Sequence, residues 1–221
     1  MTTYLIRVLL PDAPGSLGVL ANAIGAAGGD IKSVDVVQAF PDGTVMDDMV
    51  VNLPAGVMAD VLISAAHGVD GVEVDSIRPF SGTVDRRGQI KMLANVAGAS
   101  SHSNTIAQLI DDIPQALTSS WAILLEDGTP VKRITASEGA PEDDGSAPDL
   151  INITSARILN PEVDFWIPES WSLLDSSLAA APLGKSGLVL IIGRVGGPDF
   201  LPSEVEHIGY VGTILSRMLR R

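Results

Sequence analysis

The chain has 221 residues, of which 46% are hydrophobic, and it carries a formal net charge of −13. This length suits one large domain or two ordinary ones. The chain contains no cysteine, which excludes disulfides, thiolate metal sites and cysteine nucleophiles. Its acidity argues against nucleic acid and membranes as partners, because both present negatively charged phosphates.

The N-terminal segment, MTTYLIRVLLPD, lacks the basic start and the small-residue cleavage site of a signal peptide. No apolar run in the sequence reaches the roughly 18 residues that a membrane-spanning helix needs. We therefore expect a cytoplasmic protein.

The first part of the chain alternates between strand-like and helix-like periodicity. In chain order the pattern predicts strand, helix, strand, strand, helix and strand at 4–10, 16–29, 30–40, 44–53, 54–66 and 69–80. Gly28 and Gly29 end the first predicted helix, and Pro54 begins the second. This order predicts an α+β unit of the ferredoxin-like βαββαβ type, with both helices on one face of an antiparallel sheet. The other face and the edge strands would then need cover from a second copy.

The polar stretch SGTVDRRGQ separates the two halves of the chain. We place a linker at 83–89, between a first domain at 1–82 and a second at 90–221. In the second domain we expect a helix within 95–117 that Pro114 interrupts, a hairpin around Gly128, and a mobile surface loop at 139–149. Two strands around the GKSG turn and an amphipathic helix at 202–221 follow. The helix stripe comprises Val205, Ile208, Val211, Ile214, Leu215 and Leu219.

The turn PDAPGSL, between the first strand and the first helix, has the chemistry of an anion site. Pro14 has a φ suited to a first helical turn, and Gly15 permits close approach of another group. The amides of Ser16 and Leu17 have no intrahelical acceptor, and with the helix dipole they favour a negative charge. The Asp12 carboxylate is placed to accept from an amine. The alternative is that Asp12 caps the helix and the turn only redirects the chain.

The first eighty residues resemble an ACT domain, a small-molecule sensing module of amino-acid metabolism. The resemblance rests on the element order, on Asp12-Ala13-Pro14-Gly15-Ser16-Leu17, which matches the family's Asx-x-Pro-Gly-x-Leu, and on Ala27-Gly28-Gly29-Asp30-Ile31. Ligands in this family often lie between this turn of one copy and the strand after the first helix of another. The resemblance thus implies a ligand-binding set of Asp12, Ala13, Pro14, Gly15, Ser16, Leu17, Asp30 and Ile31.

The second part resembles a GAF domain, most clearly in SLAAAPL, GLVLIIGRV, GGPDF and SEVEHIGYVGTILSRML. Residues 140–176 depart from the family pattern, and the Asn-Lys-x-Phe…Asp-Glu set of cyclic-nucleotide-binding members is absent. Without cysteine there is no covalent bilin. The resemblance implies a central antiparallel sheet flanked by helices. It also implies a homodimer, because the first and last helices of GAF domains commonly pair with a second copy.

Other chemistry-bearing residues favour structural roles. His67, His102 and His207 lack a second ligand at metal spacing, so we expect no metal and no cofactor. We expect the pairs Asp47-Asp48 and Asp111-Asp112 to be solvated surface, since sequence neighbours on a strand point to opposite faces. GKSG lacks the upstream glycine and the following helix of a phosphate loop. Ser101-His102 lacks an orienting acid for a nucleophile. Core packing is the default for Trp121, Trp166, Trp171 and Phe165, with a pocket lining as the alternative.

These observations predict a non-enzymatic sensor that binds a small amino acid or a related metabolite, acts as a homodimer and signals to a protein partner. No helix-turn-helix, kinase or transferase motif is found. One alternative is a ligand-free structural adaptor or a regulatory subunit of an enzyme of amino-acid metabolism. A weaker one is an enzyme with a pocket in the second domain, and the sequence shows no catalytic residues for it.

Overall fold

The computed structural model describes residues 1–80, 86–98 and 102–219. The chain divides into two compact units, and the division falls between residues 85 and 86. Part of the predicted linker, 83–85, lies outside the described residues, and residues 86–89 belong to a helix. Within the described ranges, no helix combines the length and the apolar character that crossing a bilayer requires.

The N-terminal unit has its six elements in the predicted order. They are β1 Thr2–Pro11, α1 Ser16–Ala26, β2 Asp30–Ala39, β3 Thr44–Leu53, α2 Asp60–His67 and β4 Glu73–Pro79. The strands form an antiparallel sheet of order β2-β3-β1-β4. Helix α2 begins later than predicted, because Gly56 has a φ of 87° and helical backbone does not include such an angle.

One face of the sheet and both helices build the core of this unit. Alternate residues of β1 and β3 point to the same side and pack with Leu20 and Ile24 of α1 and with Leu62 and Ala66 of α2. The buried strand residues of this core are Ile6, Val8, Leu10, Val45, Met49, Val51 and Leu53. Both helices therefore lie on this face of the sheet, which we call the helix side.

The opposite face of the central strands carries a buried ion pair. Arg7 donates from Nε to Asp48 Oδ1 at 2.7 Å and from Nη2 to Asp48 Oδ2 at 2.8 Å. The two side chains are 1% and 4% exposed. The expectation that Asp47 and Asp48 are solvated is wrong, because β3 is a central strand whose residues are buried on both faces.

The C-terminal unit is also α+β. Its elements are α3 Arg86–Gly98, α4 His102–Ala116, β5 Trp121–Glu126, β6 Lys132–Ala136, β7 Arg157–Leu159, a 3₁₀ turn at Glu169–Trp171, β8 Ser177–Pro182, β9 Leu188–Arg194 and α5 Pro202–Met218. The sheet is antiparallel with order β6-β5-β9-β8-β7. The predicted α+β class with antiparallel sheets is thus confirmed for the chain.

Three features of this unit differ from the predictions. Pro114 does not stop α4, which continues to Ala116, because a proline near the end of a helix removes few further hydrogen bonds. Helix α3 occupies residues assigned to the linker. Strand β7 lies in the region without clear periodicity and has only three residues, paired with β8.

The sheet of the C-terminal unit has a core on each side. The first core contains helix residues from α3, α4 and α5, and the second is closed by residues from the long connection between β6 and β8. The predicted stripe of α5 is buried at Val205, Ile208, Val211, Leu215 and Leu219. Ile214, by contrast, is 41% exposed and does not belong to the core.

Candidate functional site

The turn between β1 and α1 is held by its own backbone. The Asp12 amide donates to the Gly43 carbonyl at 2.9 Å, and the Ser16 amide donates to the Ala13 carbonyl at 3.2 Å. Gly15 precedes the helix with a φ of 97°, a left-handed angle that glycine adopts without steric cost. The turn geometry therefore depends on glycine at this position.

Helix α1 begins without a side-chain cap. No side chain bonds to the amides of its first turn, so Asp12 does not cap the helix and the capping alternative is wrong. The Ser16 amide is used within the turn and is not available to a ligand, contrary to expectation. Among the described residues, the Leu17 and Gly18 amides have no backbone or side-chain acceptor. These two N–H groups stand at the positive end of the helix dipole.

The predicted site residues of this turn are open to solvent. Asp12, Ala13, Pro14 and Gly15 are all exposed. Leu17 is 39% exposed, and Ser16 is half-buried. The structure thus places one carboxylate and two unused amides together on an accessible corner of the N-terminal unit.

Asp30 and Ile31 lie at the other end of the sheet. Asp30 pairs with Asn52 across β2 and β3, whereas the turn leaves β1 at Pro11, which pairs with Thr44. Eight residues of β3 separate these two positions, about 27 Å along the strand. Asp30 is ion-paired with Lys32, and Ile31 packs against the core. A single chain therefore does not bring the two predicted parts of the site together.

Asp47 is a candidate residue that the sequence reasoning missed. Its side chain is on the helix side of the sheet, because it is paired directly with the core residue Val8. Asp47 is 2% exposed, and its Oδ1 has no hydrogen-bond partner within the described part of the chain. The sequence did carry a signal of this burial. Asp47 is two residues from both Val45 and Met49, so the three side chains share one face of β3, and both neighbours are buried.

The electrostatic surroundings of Asp47 are acidic. Burial raises the pKa of its carboxyl above the ordinary value, and three nearby negative charges raise it further, those of Asp48, Asp35 and Asp12. Asp12, the last of these charges, lies in the turn before α1.

The helix side of edge strand β2 is uncovered beside Asp47. Val36 pairs with Asp47, and Val34 pairs with the core residue Met49, so both valines face the helix side. They are nevertheless 59% and 37% exposed. An approach to Asp47 from the sheet edge therefore crosses the exposed side chains of Val34 and Val36.

The C-terminal unit contains a second candidate, a pocket that is partly open to solvent. Its apolar wall includes Trp166 and Trp171, which make an edge contact at 6.1 Å between ring centroids. Its rim includes Arg133 and the acidic side chains of Glu142, Asp143 and Asp144. Trp121 is buried, as expected, but Phe165 is 87% exposed and contributes to no core.

Within the described ranges, no group of three or more His, Cys, Asp or Glu side chains is arranged to hold a metal ion. His207 instead forms a 2.9 Å hydrogen bond with Gln89 through its Nε2. The side chain of His102 lies outside the described residues.

No family model and no curated protein matches the chain. Solved structures similar to it include the GAF domain of a phosphoenolpyruvate-protein phosphotransferase from Acinetobacter, with 12% identity over 61% of this chain and 91% of that chain, at a TM-score of 0.49. Another is free methionine-R-sulfoxide reductase from Neisseria meningitidis in complex with its substrate, with 12% identity over 64% of this chain and 95% of that chain, at a TM-score of 0.49. A GAF domain of a phosphoenolpyruvate-protein phosphotransferase from Coxiella burnetii is also similar, with 11% identity over 61% of this chain and 94% of that chain, at a TM-score of 0.47.

Proposed function

We propose that the chain is a non-enzymatic regulatory sensor whose N-terminal unit is an ACT-type domain that binds a small amino acid or a related metabolite. The observation that carries the proposal is the uncapped start of α1, where the Leu17 and Gly18 amides are unused and the exposed Asp12 lies in the preceding turn. The amides and the helix dipole favour a carboxylate. Asp12 favours an ammonium group, so the corner suits a zwitterion.

A second copy of the chain completes the proposed site. Asp30 and Ile31 lie too far from the turn of their own chain, so they contribute only if they come from a partner copy. Edge strand β2 carries two exposed valines, Val34 and Val36, on the helix side of the sheet. Exposed apolar side chains on an edge strand favour association with another chain. We therefore propose a homodimer in which the ligand lies between copies.

The C-terminal unit is proposed to be a GAF-like domain that transmits the signal to a protein partner. Its sheet is antiparallel, with helices on one side. Tyr210 and Ile214 of α5 are 59% and 41% exposed and are available for association. A ligand shifts such an assembly only through its difference in affinity between two states, typically 1–3 kcal/mol, about 5- to 150-fold.

The test is thermal unfolding of the full chain in the presence of each of the twenty amino acids. A ligand at about 100 times its Kd stabilises the folded state by about 2.7 kcal/mol. Asp12→Asn should reduce the shift, whereas Asp70→Asn, the same charge change at an exposed position after α2, should leave it unchanged. If no amino acid shifts the transition, the sensor proposal fails and the ligand-free adaptor is favoured.

A further inference from the structure

We propose that Asp47 is the buried carboxylate of this site and accepts the ammonium group of the bound amino acid. This inference rests on the proposed function and deepens it, because it adds a buried carboxylate outside the turn to the recognition of the amine, beside the exposed Asp12. Three observations carry it: the face on which Asp47 lies, its unsatisfied oxygen, and the open sheet edge beside it.

The position of Asp47 places it close to the start of α1. The turn leaves β1 after Pro11, which pairs with Thr44, and Asp47 is three residues further along β3. The side chain shares the helix side of the sheet with Val8, which packs against the helices. Asp47 and the turn before α1 therefore border the same region at one end of the sheet.

The chemistry of Asp47 calls for a cation. Its carboxylate is 2% exposed and Oδ1 lacks a hydrogen-bond partner in the described part of the chain. A buried polar atom without a partner costs free energy, and a buried charge costs more. The charged groups that raise the pKa of Asp47 are all acidic, so the site disfavours a further anion. An ammonium group supplies both the opposite charge and the missing donors.

The ligand has a route to this carboxylate. Val34 and Val36 leave the helix side of β2 exposed directly beside Asp47. In this proposal the ligand binds with its carboxylate on the Leu17 and Gly18 amides and its amine toward Asp47. The proposed site thus combines one anion-binding point, the Leu17 and Gly18 amides, with two acids, Asp12 and Asp47. Only Asp47 is buried.

The test is calorimetric titration of the full chain with each amino acid that shifts its unfolding temperature, and with the N-acetyl derivative of that amino acid. Asp47→Asn should weaken binding by about tenfold or more, since hydrogen bonds to charged groups contribute about 1.5–3 kcal/mol. The N-acetyl derivative should not bind, because it has no ammonium group. Asp70→Asn is the matched control, because Asp70 is exposed after α2 and is not among the charges that influence Asp47, and it should bind nearly as well as the wild type.

The outcomes separate the two proposals. If an amino acid binds the wild type and Asp47→Asn equally well, the role of Asp47 is refuted and the proposed function stands. If the wild type binds no amino acid, both fall. Should Asp47→Asn not fold, proton release by the wild type decides: because burial raises the pKa of Asp47, binding of an ammonium group should release protons at some pH between about 4 and neutral, and no release across that range refutes the inference.

Discussion

Asp47 and Asp48 are adjacent in sequence, yet their carboxylates are buried on opposite faces of the same strand. The carboxylate of Asp48 accepts two hydrogen bonds from Arg7, whereas Oδ1 of Asp47 has no partner within the described part of the chain. A paired buried acid is structural, because its charge is neutralised in place. An unpaired buried acid is a candidate for function, because a group from outside the described residues must supply its missing hydrogen bond.

Asp47→Asn should change the pH dependence of stability in a defined direction. The pKa of Asp47 is raised above its ordinary value of 3.8 in the folded protein, so the folded state holds a proton that the unfolded state has lost. Wild-type stability should therefore fall as pH rises from about 4 through the raised pKa. The variant has no titrating carboxyl at this position, so its stability should not fall for this reason.

Unfolding temperatures of the wild type and Asp47→Asn, measured from pH 4 to neutral pH without ligand, check this prediction. The difference between the two proteins should move in favour of the variant as the pH rises. A constant difference over this range would contradict the raised pKa.

Arg7→Met should strongly destabilise the N-terminal unit. It leaves Asp48 buried without its bidentate partner, and breaking a buried ion pair by removing one member costs about 3–5 kcal/mol. The double variant Arg7→Met with Asp48→Leu should recover much of the loss, because neither member of the pair then leaves a buried charge without its partner. Chemical denaturation measures both values.

Lys32→Met is the control for this ion pair. Lys32 and Asp30 are paired at the surface, with side chains 47% and 59% exposed, and such pairs contribute about 0–1 kcal/mol. A loss at Arg7 no larger than the loss at Lys32 would show that burial of the Arg7 pair has little energetic effect.

Gly29→Ala should destabilise the N-terminal unit by about 1–3 kcal/mol. A Cβ at Gly29 would lie 2.6 Å from Ile24 Cγ2 and 2.9 Å from Val51 Cγ1, both core side chains. Gly25→Ala is the matched control within α1, because a Cβ there meets nothing within 4 Å. Since alanine is the better helix former, the control should stabilise by about 0.5–1 kcal/mol. Both variants are compared with the wild type by chemical denaturation. A change in the free energy of unfolding of the same sign for both variants would contradict the packing at Gly29.

Arg194→Lys should destabilise the C-terminal unit. The Arg194 guanidinium is fully buried and donates to Glu204 Oε1 at 2.8 Å and to the Thr118 carbonyl at 3.1 Å. It also stacks on Phe200, at 4.1 Å from the ring centroid. Lysine lacks the planar fork that makes these contacts together, and we expect a loss of about 1–3 kcal/mol.

Arg157→Lys provides the comparison in the same unit. Arg157 also forms a two-point pair, with Asp164 at 2.8 and 2.6 Å, but its side chain is 37% exposed. Solvent screens this pair, so its loss should be smaller. Thermal unfolding measures both losses. If Arg157→Lys lowers the unfolding temperature more than Arg194→Lys does, the structural role of Arg194 is refuted.

Much of the local structure could be predicted from the chain itself. Periods of two and of 3.6 residues in apolar side chains indicate strands and helices directly, and they located all six elements of the N-terminal unit and the last helix. The turn before α1 was also readable, because proline and glycine restrict or free the backbone whatever surrounds them. The departures at Gly56, Pro114 and β7 occur where the pattern is short or interrupted.

Only the tertiary structure decided which residues are buried and which meet. The alternation in β3 shows that Asp47 and Asp48 face opposite ways, but their burial depends on β3 becoming a central strand with Arg7 beside it. Whether Asp12 caps α1, and how far Asp30 lies from the turn, likewise depend on the strand pairing. These contacts join residues distant in the chain, and local periodicity carries no information about them.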